Sequence, residues 1–432
     1  MVMRIWKWSK QYFLEIILGF LFLIPFFAIG PLRSIFSYTI RDFQFDINLV
    51  LLFVLILFFA LSLALIKKEG DKLITRKLFI VLSIKVIFDL SILFSGISKN
   101  INLGYFFTQY LWFILPGYYG LLYVLFINKL QLDHEQIIKI GLVFFAGYII
   151  FNIVINVAFY DFIFGADRLI SPGGGPVIFG YSIALLFTVL VAYDYLFKKL
   201  TFYLLAVIYL VGSLATGSRA SMIPVLVIFA VYFFVDKKIQ PLTKLVIVLV
   251  AFSALMLQGS LLLRIAPRLT KLATGSRGVS AVNTLRAYGN YSLIDKLSGR
   301  GLTGFFPYQQ WNRFPELRRE FTHYNRFLYN GEYLLVQPHN SFLMALMELG
   351  LLRTILLICF FGYFFIKNLI GKDYRRALFT GVFIVLNLFD SIIFVSPGSS
   401  ALWMSMFFLV AVYKPQRVNV QVNKQLKFQL QL

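Results

Sequence analysis

About twelve long apolar runs, separated by short polar connections, limit what this chain can fold into. A helix needs about 20 apolar residues to cross the hydrocarbon core of a bilayer. The chain is 59% hydrophobic and only 14% charged, whereas soluble domains are about 45–50% apolar and about 25% charged. We therefore predict an all-α polytopic membrane protein with about twelve transmembrane helices, at residues 13–29, 47–66, 78–97, 106–127, 138–160, 176–197, 201–217, 220–235, 243–263, 340–366, 376–395 and 399–413.

The charges between these runs predict how the chain is oriented. Short inner loops of membrane proteins are rich in Lys and Arg. If the N-terminus is inside, every inner connection is basic, whereas the short outer connections carry few charges. Both termini are therefore predicted to be cytoplasmic, with the first apolar run kept as an uncleaved helix. The net charge of +22 then belongs beside anionic lipid head groups, and no nucleic-acid-binding signature accompanies it.

One long polar segment, residues 264–338, interrupts the apolar runs. It holds nine Arg against two Lys and four acidic residues. The charge pattern places it on the outer face, and we predict a large, mainly helical outer loop between the ninth and tenth spans. The chain then divides into spans one to nine, this outer loop, spans ten to twelve and a basic cytoplasmic tail, at residues 1–263, 264–338, 339–413 and 414–432.

The arginines of the outer loop suit a phosphate ligand. A guanidinium group is a rigid fork of donors that matches two phosphate oxygens at once, whereas the inner loops use mostly Lys. The alternative is a soluble cap in which these arginines pair with Glu316, Glu320 and Glu332.

Three short motifs add candidate residues at the outer ends of the spans. The Gly-Ser-Arg sequence at 217–219 joins two spans with almost no loop. Arg219 therefore lies at a helix N-terminus, which favours anions; a snorkelling anchor is the alternative. Arg286 lies on a short amphipathic stretch before the glycine-rich run 299–306. His339 opens the tenth span and can act as a base near neutral pH, or it is simply the residue that starts the helix.

Lys85, Asp89 and Asp390 are ionisable residues inside predicted spans. Lys85 and Asp89 are four residues apart, so they share a helix face and are predicted to pair. Asp390 lies within the eleventh span. Because charges inside membranes face the bundle interior, we interpret all three as structural or as lining a path for lipid or glycan. The single Cys359 and the three His residues predict neither a disulfide framework nor a metal site.

Taken in order, these motifs resemble those of the O-antigen polymerase/ligase superfamily, which are bacterial membrane glycosyltransferases of the GT-C type. Gly217-Ser218-Arg219 resembles the Ser-Arg element of that family. Arg286 and the run Gly299–Phe305 resemble its outer-loop Arg and glycine-rich stretch, although Thr303 and the glycine spacing depart from the pattern. His339-Asn340, followed by Glu348-Leu349-Gly350, resembles its His-Asn…Glu-x-Gly element. The match covers about residues 165–400.

The resemblance implies transfer of an oligosaccharide from undecaprenyl diphosphate to an acceptor hydroxyl, at the outer face of a bacterial inner (plasma) membrane. Arg219 and Arg286 would hold the departing diphosphate, with Arg168 or Arg300. His339 would either deprotonate the acceptor or bind the diphosphate. Neither a metal nor another cofactor is implied. The partners would be the lipid-linked donor, a glycan or lipid A–core acceptor, membrane lipids, and a chain-length regulator or flippase. Aromatic residues of the outer loop could contact sugars, namely Tyr308, Trp311, Tyr324 and Tyr329.

Several alternatives to a polymerase remain. A ligase would join a finished chain to lipid A–core, whereas the polymerase, which we favour, joins lipid-linked repeats. A polyprenyl-monophosphate glycosyltransferase would use acids of the first outer loop, where Asp42 and Asp46 lie. A lipid-linked-glycan transporter would show internal repeats, and we see none in the sequence.

Overall fold

The structure, a computed structural model, describes most of the apolar part of the chain and a smaller part of the polar segment. The described residues are 13–27, 38–40, 43–45, 47–66, 72–99, 103–159, 169, 176–235, 281, 284–285, 288–302, 326–329, 332–335, 338–390, 392–395 and 397–413.

Helices make up nearly all of the described chain. The helices are α1 (Phe13–Phe27), α2 (Ile47–Leu65), α3 (Lys72–Lys99), α4 (Leu103–Leu130), α5 (His134–Phe159), α6 (Pro176–Ala192), α7 (Lys199–Ala215), α8 (Arg219–Val235), α9 (Leu293–Ser298), α10 (Ser341–Glu348), α11 (Gly350–Ile370), α12 (Tyr374–Phe389), α13 (Ile392–Val395) and α14 (Pro397–Met406). A 3-10 turn at Asp194–Leu196 follows α6, and a π-helical turn at Phe407–Val412 continues α14.

These helices follow the predicted apolar runs. Within the described residues, α3, α4, α5 and α11 are long and apolar enough to cross a membrane, and five shorter apolar helices accompany them. Eleven of the predicted spans coincide with helices, and the run 243–263 lies outside the described residues. This confirms the helical character typical of an α-helical membrane protein.

Two predicted spans are broken in the structure. The run 340–366 contains two helices, because the chain turns at Gly350, whose φ is +83°. In the run 376–395, the regular helix α12 ends at Phe389, because the next residue, Asp390, has an extended backbone and forms the C-cap. The apolar character of both segments correctly predicted helices, but it does not indicate where a single residue turns the chain.

Helix α4 forms the centre of the bundle. It packs against α2, α3 and α14, and 83% of its apolar stretch is buried. A helix that is apolar on all sides belongs in such a position. Tyrosine hydroxyls tie the helices together by donating to backbone carbonyls, as Tyr119 and Tyr123 of α4 do to Leu21 (2.7 Å) and Leu18 (2.9 Å) of α1.

Two short antiparallel hairpins were not expected. Strands β1 (Tyr38–Ile40) and β2 (Phe43–Phe45) form the first. The second, β3 (Arg326–Tyr329) with β4 (Glu332–Leu335), pairs Arg326 with Leu335. It lies in the predicted outer loop, which we expected to be mainly helical, and α9 is the one helix of more than two residues described there. The division at residues 263, 338 and 413 stays a prediction, and the tail 414–432 lies outside the described residues.

Candidate functional site

The structure describes only part of the predicted site. The side chains of Arg300 and His339 are described. For Arg219 the backbone is described, at the first residue of α8. The other predicted site residues lie outside the described residues, namely Arg168, Arg286, Tyr308, Trp311 and Tyr324. Their roles stay predictions.

Two of the described candidates, Arg219 and His339, lie at one end of the bundle, which we call the site end. There α6 and α8 begin, α7 and α12 end, and α10 begins. Helix α6 packs against α7, α8 and α12. Its first turns therefore touch both the α7–α8 junction and the end of α12.

The α7–α8 junction is a tight turn. Gly217 has a φ of +58°, a left-handed conformation that glycine adopts without steric cost. The Ser218 amide donates to Thr216 Oγ1 at 3.3 Å, and Ser221 Oγ donates to the Ser218 carbonyl at 2.8 Å. Arg219 thus follows a turn whose polar groups bond to one another.

Gly180 of α6 fits directly against this junction. A Cβ atom at Gly180 would lie 2.4 Å from Ser221 Oγ and 2.9 Å from Thr216 Oγ1. The Leu169 amide, one residue after Arg168, donates to the Ala215 carbonyl at 3.0 Å. Leu169 therefore lies at the same junction, whereas Arg168 lies outside the described residues.

His339 is fixed at the start of α10. Its φ is +48°, an uncommon conformation for a side chain other than glycine and one that often occurs at functional positions. The next residue holds the helix start, because Asn340 Oδ1 accepts from the Phe342 and Leu343 amides at 2.9 Å each. Asn340 Nδ2 also donates to the Leu388 carbonyl at 2.9 Å.

Asp390 is the partner of His339. The imidazole Nδ1 lies 3.3 Å from Asp390 Oδ1, and the side chains are 29% and 10% exposed. An ionised carboxylate only accepts hydrogen bonds, so we assign the proton to Nδ1, which leaves Nε2 of the neutral ring as an acceptor. The Ser341 amide and hydroxyl both donate to the Asp390 carbonyl, at 3.2 and 3.0 Å. The end of α12 thus orients the histidine.

Helix α6 connects the histidine pair with the α7–α8 junction. Tyr181 follows Gly180, and its hydroxyl donates to the Phe389 carbonyl at 3.4 Å. Two adjacent residues of α6 thus contact the two halves of the candidate site. Neither Gly180 nor Tyr181 was predicted to belong to the site, and Asp390 was interpreted as structural or as lining a path for lipid or glycan. The sequence signal for Asp390 was an acidic residue near the end of an apolar span, because such residues face the bundle interior.

The glycine-rich run meets the other end of α10. The Arg300 and Gly301 amides donate to the Met347 and Glu348 carbonyls at 3.2 and 2.8 Å. A Cβ atom at Gly299 would lie 2.2 Å from the Glu348 carbonyl oxygen. The glycine thus permits close approach of two backbones. Here the backbone that approaches belongs to the Glu-Leu-Gly element of the same chain.

Arg300 is engaged by protein groups. Its guanidinium lies 4.1 Å above the centre of the Tyr291 ring, and Nε lies 3.7 Å from Asp295 Oδ2. Burial raises the pKa of Tyr291, and the nearby Arg300 partly opposes this effect, so the phenol stays neutral. A diphosphate would have to share Arg300 with these two groups.

The predicted Lys85–Asp89 pair is confirmed. Lys85 Nζ donates to Asp89 Oδ2 at 2.8 Å, and Asp89 is 2% exposed. Lys85 Nζ also lies 4.6 Å from the centre of the Tyr118 ring. This pair joins α3 to α4.

Comparison with known proteins does not identify the chain. No protein-family model matches it, and no curated protein sequence matches it. Among the described residues, no three His, Cys, Asp or Glu side chains lie together as a metal site would require.

Proposed function

We propose that this protein is a membrane glycosyltransferase of the O-antigen polymerase/ligase type, which extends a surface polysaccharide by joining undecaprenyl-diphosphate-linked repeats. The observation that supports this most strongly is the His339–Asp390 pair, held at the same end of the bundle as the Gly-Ser-Arg junction. The ordered motifs around these residues support the same family.

The chemistry would need two kinds of group. The donor carries a diphosphate leaving group, so fixed positive charge is the main requirement for bond cleavage, and Arg219 and Arg286 would supply it. His339 Nε2 would accept the proton of the attacking hydroxyl, while Asp390 keeps the ring in place. The glycosidic bond forms as the bond to the diphosphate breaks, and the proton passes to His339.

The proposal includes a membrane topology. The chain would cross a bacterial inner membrane twelve times, with both termini in the cytoplasm. The site end of the bundle and the segment 264–338 would face the outer side, where lipid-linked repeats and their acceptors meet.

The test uses purified protein in proteoliposomes, with a radiolabelled undecaprenyl-diphosphate-linked repeat as the only glycan. A polymerase should produce a ladder of longer lipid-linked chains. His339→Ala should slow elongation by ~10²–10⁴-fold. Arg219→Ala and Arg286→Ala should each slow it by ~10²–10³-fold. Arg375→Ala is the matched control, because this 52%-exposed side chain lies at the opposite end of α12.

The other outcomes separate the competing functions. Elongation or transfer only after addition of lipid A–core would identify a ligase. Movement of the lipid-linked repeat without a new glycosidic bond would contradict both enzymes and favour a transporter. Full elongation by all three site variants would disprove the proposed site.

A further inference from the structure

Helix α9 exposes apolar side chains next to the site end. Leu293 and Ile294 are 72% and 71% exposed, and Leu297 is 37% exposed. The same short helix presents Asp295 to Lys99 and Arg300. Its polar groups are therefore turned towards the protein while its leucine and isoleucine side chains point away. Adjacent exposed apolar side chains of this kind indicate a contact surface.

The helices that hold α9 are themselves largely exposed. Lys99, the last residue of α3, donates to Ser298 Oγ and to the Gly299 carbonyl at 2.6 Å each. Helix α9 also packs against α11. Only 17% of the apolar stretch of α3 and 22% of that of α11 is buried within the protein. Helix α9 is thus held by two helices whose apolar stretches are mostly exposed, as is expected of helices that face acyl chains.

The hydrogen bonds of Arg353 locate α9 along the membrane normal. This residue of α11 donates from Nη1 to the Ser298 carbonyl and from Nη2 to the Ser91 carbonyl, at 2.7 Å each. Ser298 is therefore bonded to Lys99, at the end of α3, and is linked through Arg353 to Ser91. Ser91 lies about 12 Å from Lys99 along the α3 axis, at ~1.5 Å per residue.

The length of α3 allows the depth of α9 in the bilayer to be estimated from these contacts. Its 28 residues extend over ~42 Å, whereas the hydrocarbon core is ~30 Å thick. In a centred, upright α3, Ser91 lies ~7 Å inside the edge of the core and Lys99 lies ~5 Å outside it. Because Ser298 contacts side chains that reach both levels, the end of α9 lies close to the boundary between acyl chains and head groups.

We infer that α9 is an interfacial anchor, whose Leu293 and Ile294 side chains insert into the leaflet of the phospholipid bilayer that lies at the site end. Amphipathic helices at this level bury their apolar face in the acyl boundary and keep basic residues among the head groups. Lys296, in the last turn of α9, supplies such a basic residue. The anchor would hold residues 299–301, where the glycine-rich run contacts the end of α10, at the level of the head groups. The inference depends on the membrane alone and holds whichever reaction the site performs.

The test measures the depth of a nitroxide on α9 in liposomes. Cys359 is the single cysteine, so Cys359→Ser gives a background for Ile294→Cys and for the matched control Lys296→Cys on the same helix. Power-saturation EPR then compares collisions with oxygen, which concentrates in lipid, and with a water-soluble nickel chelate. A label in place of Phe94, which is 69% exposed on α3, provides the lipid reference.

We expect the oxygen-to-nickel collision ratio at residue 294 to exceed that at residue 296 several-fold and to approach the ratio at residue 94. Equal, high nickel accessibility at 294 and 296 would overturn the inference, since α9 would then lie in water. Low accessibility to both reagents at 294 would also overturn it, since protein would then cover the helix. If Ile294→Cys fails to fold, Leu293→Cys is measured against the same expectations.

Discussion

At the scale of single residues, the arrangement of His339 depends on an acid 51 positions later in the chain. The strained backbone at His339 and the cap formed by Asn340 place the imidazole against the end of α12. A carboxylate in that position selects which ring nitrogen carries the proton. The pair thus gives one side chain a defined acceptor atom, Nε2.

Asp390→Asn tests whether the acid orients the histidine. The amide keeps the size of the side chain but can also donate, so the ring is no longer held in one tautomer. We expect kcat for elongation to fall, with a smaller loss than in His339→Ala, while KM for the lipid-linked repeat stays unchanged. Steady-state kinetics in proteoliposomes measures both. A parallel loss of thermal stability in detergent would instead indicate a structural acid, and unchanged kcat would remove Asp390 from the site.

Gly299 and Gly350 form the closest backbone contact near the site. Both have positive φ values, +72° and +83°, and a Cβ atom at Gly350 would lie 2.2 Å from the Gly299 amide nitrogen. Gly350→Ala should therefore destabilise the protein by at least ~1–3 kcal/mol, because strain and overlap add. Thermal unfolding in detergent measures this.

Gly362→Ala is the matched control for that prediction. Gly362 lies on the same helix, α11, and a Cβ atom there meets nothing within 4 Å. We expect its unfolding temperature to stay close to that of the wild type. Equal unfolding temperatures for both variants would show that the close backbone contact between residues 299 and 350 does not affect the stability of the fold.

At the scale of elements, α6 positions the two halves of the site relative to each other. Gly180 contacts the α7–α8 junction and Tyr181 contacts the end of α12. Gly180→Ala should push α6 away from the turn and displace Arg219. A displacement of about 1 Å at a catalytic group can cost up to ~10²-fold in rate, so we expect a marked loss of elongation with retained expression. Gly147→Ala on α5, where a Cβ atom meets nothing within 4 Å, should keep wild-type activity. Equal elongation by both variants would contradict this role of α6.

The α3–α4 contact contains a buried ion pair, Lys85–Asp89. Its contribution to the free energy of unfolding can be separated into the effect of each residue and the interaction between them. Asp89→Leu leaves Lys85 without its carboxylate, and removal of one partner of a buried pair typically costs about 3–5 kcal/mol. The double variant Lys85→Met with Asp89→Leu removes both charges and should recover much of that loss. A double-mutant cycle on thermal unfolding measures the coupling. Additive losses would show that the two residues do not stabilise each other.

At the scale of the whole molecule, sequence predicted the helices well and the site incompletely. Eleven apolar runs became helices, because burial in lipid or protein requires such runs to satisfy their backbone internally. The Lys85–Asp89 pair was predictable from helical spacing. The His339–Asp390 contact, the turn at Gly350 and the fit of Gly180 depend on how distant segments meet. Periodicity and composition contain no such information, and the hairpin β3–β4 shows the same limit within the polar segment.

The orientation of the molecule is the remaining prediction at this scale. In the Cys359→Ser background, Asn290→Cys introduces a thiol at an exposed turn near α9. Tyr374→Cys introduces one at the opposite end of the bundle, where the side chain is 64% exposed. Because basic connections stay in the cytoplasm, a membrane-impermeant maleimide should label residue 290 in intact cells. It should label residue 374 only after the inner membrane is permeabilised. The reverse pattern would place the histidine pair on the cytoplasmic side, where an enzyme that polymerises exported lipid-linked repeats would find no substrate.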